Sequence, residues 1–305
     1  MEIKAVLEIL PASIRKKLEE TENMNNLQEI RIKIGKPIIF QIGSKETIYN
    51  YIASNEDLKN IMQRMSNYSL YAFNDALKQG YITLKGGHRV GICGSCVVEE
   101  NEVKTIKDIA SINIRIGKEI MNCSNNILPY IIDKQSILNS IIISPPKCGK
   151  TTMLRDVARN ISNGIDNLSF KGKKVSIIDE RSEIAGCYNG IPQMEVGLRT
   201  DVLDSCPKSQ GIMMAIRSMS PDVIICDEIG TYRDMESLLM ALNSGVSIIT
   251  SIHGKGIEDL FERAVYKEII ENNVFERAVI LSSEKIAGTI DYIYDLPKKE
   301  IIWGK

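Results

Sequence analysis

Residues 141–152 read IIISPPKCGKTT: an apolar run breaks at two prolines, passes through Gly149-Lys150-Thr151 and continues into a stretch that can form a helix. A buried strand turning directly into a helix aims successive backbone N–H groups, and the positive end of the helix, at one small volume that suits an anion. The residues from Ser144 through Pro145, Pro146, Lys147, Cys148, Gly149, Lys150 and Thr151 to Thr152 therefore read as a phosphate-binding loop. In such a loop Lys150 reaches the β- and γ-phosphates, Thr151 offers its hydroxyl to Mg²⁺, and Gly149 lets the backbone come close without a Cβ. The usual pattern opens on glycine, whereas Ser144 stands five residues before Gly149, so Pro145-Pro146 is expected to shape the turn instead. A Gly-Lys-Thr tripeptide also occurs at ordinary strand-to-helix turns, so the assignment needs partners elsewhere in the chain.

Residues 221–231, PDVIICDEIGT, supply them: an apolar run leads into Asp227-Glu228, as when a buried parallel strand delivers carboxylates to its C-terminal end. Asp227 is expected in the Mg²⁺ shell and Glu228 on the attacking water, against the plainer reading of an acidic surface turn. A second strand, Val175 to Asp179, also ends in acids. If it neighbours the phosphate-loop strand, Glu180 or Glu183 joins the water or magnesium network; otherwise both are solvated exit residues. A third strand ends in Ser251-Ile252-His253-Gly254. His253, one of only two histidines, is placed either to sense the γ-phosphate or to serve as a satisfied structural residue.

At 305 residues the chain exceeds the usual compact domain, and with 44% hydrophobic and 25% charged residues it can build proper cores. A net charge of −1 and 6% aromatic residues argue against a broad nucleic-acid footprint. No stretch approaches the roughly 18 apolar residues that span a bilayer, and MEIKAVLEILPASIRKKLEE is too charged for a secretory leader, so a cytoplasmic protein is expected. The seven cysteines are scattered, and Cys93-Gly-Ser-Cys96 lacks the second ligand pair of a zinc site.

Turn-rich residues 121–136 divide the chain, giving an N-terminal α+β domain over 1–120, a linker over 121–136 and a nucleotide-binding domain over 137–305. The first part reads as a helix from Ser13 to Glu22, strands through Leu27–Ile34 and Pro37–Phe40, helices near 55–65 and 68–79, a hairpin turning at Gly86-Gly87, and strands at Val97-Val98 and Ile112–Ile116. The last part alternates strands near 139–144, 175–179, 222–227, 246–251 and 290–294 with helices near 150–162, 209–218, 233–243 and 257–268. That alternation specifies a mainly parallel sheet with ligands at the carboxyl ends of its strands.

The phosphate loop, the acid-rich second strand, PDVIICDEIGTYRDMES and SIHG, in that order, resemble the secretion-type ATPases that drive pilus and type II/IV secretion machines. The resemblance is closer to the stage III sporulation AA family of spore-forming bacteria. It is carried over most of the chain by LQEIRIKIGKPI, QGYITLKGGHRVGICG, SPPKCGKTTMLRD, IIDERSEIAGCYNGIPQ and VGLRTDVLDSCPKSQGIMMAIRSMSPDVIICDEIG. It implies an α/β fold in which a RecA-like P-loop NTPase core follows a smaller N-terminal α+β domain. It further implies an ATPase using ATP and Mg²⁺, a homo-oligomeric ring, a hexamer, and integral-membrane partners in a sporulation channel between mother cell and forespore. The place implied is peripheral, at the inner face of the engulfment membrane on the mother-cell side. The residue roles carried over are Lys150 and Thr151 for phosphate and magnesium, Asp227 for magnesium, Glu228 for water activation, Glu180 in the acidic box and His253 in the histidine box. Asp227 fills a position that secretion ATPases often give to glycine, which brings the metal shell nearer to that of ordinary ATPases. A ring enzyme also draws on an arginine from its neighbour, for which Arg89, Arg115, Arg181, Arg199 and Arg217 are candidates.

Overall fold

The structure, a computed structural model, describes residues 3–21, 23–66, 77–266, 270–283 and 287–304. Most of the helix expected at 68–79, the end of the helix expected at Glu22, and Lys267 and Glu268 lie outside the described residues. The chain packs into two units, Met1–Lys118 with Gly186–Gln193 and Glu119–Ala185 with Met194–Lys305.

The smaller unit is built on an antiparallel sheet in the order β3-β2-β1-β6-β5-β4. Its strands are β1 Leu27–Lys33, β2 Pro37–Ile42, β3 Lys45–Ile52, β4 Tyr81–Leu84, β5 His88–Glu99 and β6 Glu102–Arg115. Alternation decides which face is covered: in β1, Ile30 and Ile32 are buried while Arg31 and Lys33 are exposed. The buried face forms one core around Phe40 with helices α1 (Lys4–Ile9), α2 (Ala12–Glu19) and α3 (Asn55–Met65). Ser54 and Asp57 close a capping box at the start of α3. The strands expected at Val97-Val98 and Ile112–Ile116 are parts of the long β5–β6 hairpin, which turns at Glu100 and Asn101 with φ of 52° and 64°. Neither residue is glycine, so this two-residue turn carries no strong signal in the sequence.

The larger unit holds β7 (Ser140–Ser144), α4 (Lys150–Asn163), β8 (Val175–Asp179), β9 (Thr200–Asp204), α5 (Lys208–Ser218), β10 (Val223–Cys226), α6 (Tyr232–Asn243), β11 (Ser247–His253), α7 (Glu258–Glu262), β12 (Arg277–Leu281), β13 (Ile290–Asp295) and β14 (Glu300–Gly304). The sheet order is β9-β8-β10-β11-β7-β12-β13-β14, parallel through β12, with β13 and β14 added antiparallel. Every residue of β7, β8 and β10 is buried, as a sheet covered on both faces requires. Its polar chemistry is consequently confined to strand ends. Registers such as Ile178↔Cys226, Cys226↔Thr250 and Ile252↔Ile143 bring the carboxyl ends of β8, β10, β11 and β7 to one edge.

Two arrangements differ from the sequence reading. Strand β8 lies between β9 and β10 and does not neighbour β7, because β10 and β11 are inserted between them. Residues of the stretch expected as a linker pack on α4: Asp156 accepts hydrogen bonds from the N–H groups of Asn122 and Ser124 at 3.0 and 2.8 Å, and Ile127, Leu128 and Ile131 are buried.

Asp179 closes β8 as a buried carboxylate, its Oδ1 accepting the Glu183 N–H at 2.8 Å and its Oδ2 those of Ile184 and Ala185 at 3.0 and 2.8 Å. Burial outweighs these donors and pushes the carboxyl up from 3.8 to about 6. A carboxyl raised on folding keeps its proton in the folded state while the unfolded chain loses it, so stability falls as pH rises between those values. We predict that the wild type loses about 2 kcal/mol across pH 4 to 6 relative to Asp179→Asn, measured by denaturant unfolding at several pH values. Parallel stability curves for the two proteins would contradict this.

Candidate nucleotide site

Strand β7 ends at Ser144, which is buried and whose carbonyl accepts the Gly254 N–H at 3.2 Å. The chain reverses at Lys147 and Gly149, with φ of 65° and 91°, while Ser144 lies outside the left-handed region. Glycine's freedom is therefore not needed at the first position of the loop. At Gly149 it is needed twice, for the positive φ and because a Cβ would stand 2.7 Å from the nitrogen of Gly288. That Gly288 N–H donates to the Cys148 carbonyl at 2.8 Å. The Ser144 hydroxyl donates to the Pro145 carbonyl at 2.9 Å, and the Cys148 thiol to that of Pro146 at 3.6 Å. Helix α4 follows with Gly149 as its N-cap, so the N–H groups of Lys150, Thr151 and Thr152 sit in its first turn, where a helix has no acceptors of its own for them.

Around this helix end the carboxyl ends of β10 and β11 bring in the other side chains. Thr151 donates its hydroxyl to Asp227 Oδ2 at 2.8 Å, and Ser251 donates its hydroxyl to Asp227 Oδ1. A hydroxyl and a carboxylate at the N-terminus of a helix are a hard-oxygen pair of the kind that Mg²⁺ takes. Glu228 has a left-handed backbone, φ 50°, and donates its N–H to Ser251 Oγ at 3.0 Å. Its carboxylate lies 3.2 Å from His253 Nε2 and 3.3 Å from Arg181 Nη1. The ammonium of Lys150 stands 3.2 Å from His253 Nδ1. The same ammonium lies 3.4 Å from Nε2, so both ring nitrogens are within its reach and Nε2 also meets Glu228. Burial pulls the Lys150 ammonium below its ordinary pKa, against the charges of Asp227, Glu228 and Glu183, which support its protonation.

The loop after β8 reaches this place although two strands, β10 and β11, separate β8 from β7. Asp179 gathers its N–H groups, and the buried Arg155 of α4 donates to its carbonyls, those of Ile184 and, at 2.8 Å, Glu183. Pinned along α4 in this way, the loop presents Arg181 to Glu228. Glu180 points elsewhere and is bonded by Lys208 near the start of α5. Lys150, Thr151, Asp227, Glu228 and His253 are thus brought together, and Glu180 stands aside with Lys208. Of the arginines named above, Arg181 contacts Glu228 of its own chain, Arg199 donates to the Ser162 carbonyl at 2.9 Å, Arg89 stacks 3.7 Å above the Tyr81 ring, Arg115 is 4.0 Å from Glu29, and Arg217 is exposed. Ser251 and Arg155 were missed. Their signals were slight: a polar residue near the end of an apolar strand, and one cation among the residues of an amphipathic helix.

The family model described as Sporulation stage III, protein AA matches residues 2–301. Stage III sporulation protein AA of Bacillus subtilis (strain 168) is 46% identical over 292 residues, covering 95% of this chain and 94% of that protein. The uncharacterized protein ycf45 of Porphyra purpurea is 26% identical over 272 residues, 88% of this chain and 44% of its own length. Among solved structures, the ATPase DotB of Legionella pneumophila superposes with a TM-score of 0.61 at 16% identity, covering 93% of this chain and 81% of that one. The pilus retraction motor PilT with bound ADP superposes with a TM-score of 0.54 at 12% identity, covering 88% and 76%. The fold is accordingly the RecA-like α/β core of the secretion and pilus ATPases joined to a smaller α+β domain. By its family-model match and its identity to the B. subtilis protein, the chain belongs to the Sporulation stage III, protein AA family.

Proposed function

We propose that this protein hydrolyses ATP, and that its turnover powers a sporulation-associated membrane channel between mother cell and forespore. The observation that carries the reading is the meeting of Lys150 and Thr151, at the N-terminus of α4, with Asp227, Glu228 and His253 at the ends of two neighbouring strands. Helix N–H groups and Lys150 bind the phosphates. Thr151 and Asp227 would hold Mg²⁺, which when bound neutralises charge on the phosphates. Glu228 accepts a hydrogen bond from the attacking water and so orients it, and His253, bonded on either side to Lys150 and Glu228, links phosphate binding to that water. Glu183 contributes negative charge near Lys150. Glu180, held by Lys208, takes a supporting part in the acidic loop.

The working form we infer is a homo-oligomeric ring, a hexamer by the resemblance to secretion ATPases, peripheral to the membrane and docked on integral-membrane proteins. No helix among the described residues is long and apolar enough to cross a membrane. Exposed Arg217 is the candidate for completing a neighbour's site, since Arg181 and Arg199 are engaged within their own chain.

Phosphate release by the purified chain tests the chemistry. Glu228→Gln is expected to lower turnover about 100-fold or more while retaining nucleotide, and Lys150→Ala to lower turnover and weaken binding together. Turnover surviving in both variants would refute the site. Nucleotide binding with no phosphate release by the wild type would favour a nucleotide-gated scaffold, and stimulation by DNA would favour a nucleic-acid motor. For the ring, mass in solution with a non-hydrolysable ATP analogue is expected to show a closed oligomer; a monomer under all conditions would contradict it.

A further inference from the structure

Ser251 is fully buried on β11, where an unsatisfied hydroxyl costs stability and alanine would fill the space without that cost. Three bonds account for it. Its hydroxyl donates to Asp227 Oδ1 and accepts the Glu228 N–H at 3.0 Å, and its carbonyl accepts the Ile229 N–H at 3.0 Å. The β10–β11 ladder ends at the pair Cys226↔Thr250, so Ser251 is the first residue of β11 beyond the ladder. At that point its side chain takes over from the sheet and ties down the tip that carries both carboxylates.

The consequence for the site is orientational. With Oδ1 of Asp227 held by Ser251, its Oδ2 is the oxygen turned to Thr151. With its N–H held by the same hydroxyl, Glu228 keeps the left-handed backbone from which its carboxylate reaches His253 and Arg181. A non-glycine residue in that conformation persists where the surroundings over-determine it.

We propose that Ser251 is the positioning residue for magnesium binding and water orientation: one hydroxyl fixes the donor oxygen of Asp227 and the backbone of Glu228 together. This rests on the reading of the site as one for Mg²⁺ and ATP. The bond it invokes needs only a hydroxyl at this position, so threonine satisfies it, while alanine removes it and cysteine, with a weak thiol, nearly does.

The test titrates the full chain with the ATP analogue AMP-PNP, once in EDTA and once with Mg²⁺, and measures ATP turnover beside it. In Ser251→Ala and Ser251→Cys the tightening of AMP-PNP by Mg²⁺ is expected to shrink by about 10-fold or more, as losing a supporting bond to a metal ligand typically does. Their metal-free affinity is expected to stay within about twofold, and kcat to fall about 10- to 100-fold with little change in KM. Ser251→Thr is expected to restore both readouts. Two independent removals guard against one that fails to fold, and a melting curve without nucleotide checks each. Folded Ala and Cys variants that keep the wild-type response to Mg²⁺ would overturn the role of Ser251 and leave the nucleotide site standing. A wild type whose AMP-PNP affinity ignores Mg²⁺ would overturn the site reading, and this inference with it.

Discussion

The Asp227 carboxylate is held by two hydroxyls from two different elements, Thr151 at the start of α4 and Ser251 near the end of β11, and the arrangement of the site depends on that double hold. Through Thr151 it fixes the strand end against the helix that carries the phosphate loop. Through Ser251 it fixes β10 against β11 beyond the last rung of their ladder, and the same hydroxyl sets the backbone of Glu228. Three elements are registered to one another by a single partly buried group of polar atoms. Such a group has strong geometric preferences, because each of its members left unpaired would carry the cost of lost hydration.

The parallel sheet explains why this happens at one edge. Strands buried on both faces have no place for charge along their length, so Asp179, Asp227 and His253 occur only where β8, β10 and β11 emerge. The edge gathers the carboxylates of Asp227, Glu228 and Glu183 near Lys150, Arg181 and the His253 ring, with Glu228 in direct contact with Arg181 and His253. On the proposed reading, a phosphate entering such a site would exchange partners with groups already in place, Lys150 leaving His253 and Glu228 leaving Arg181.

Much of this was legible in the sequence because the loop IIISPPKCGKTT and the run PDVIICDEIGT each couple an apolar strand to polar residues of specific chemistry. The residue types, their order and the mainly parallel alternation followed from those runs. Strand β12, Arg277–Leu281, was missed because its apolar core is a short run with no motif at its end, and β9 because TDVLD is polar in composition. The sheet order was not legible either: strand adjacency is set by crossovers, and two strands that follow each other in sequence, β7 and β8, lie apart. The finer placements share a cause. Glu180 and Glu183 are equivalent as residue types, and only the Asp179 and Arg155 bonds to the backbone decide which face of the loop each takes. Ser251 looked like any serine in a strand until its register placed it opposite the tip of β10.

The most direct measurement is a crystal structure of the chain with Mg²⁺ and a non-hydrolysable ATP analogue. The account predicts the triphosphate across the N-terminus of α4, with Lys150 moved from His253 onto phosphate oxygens, the metal on Thr151 and Asp227, and Glu228 released from Arg181. A nucleotide bound elsewhere, or a triphosphate in the loop with Asp227 and Glu228 uninvolved, would contradict it.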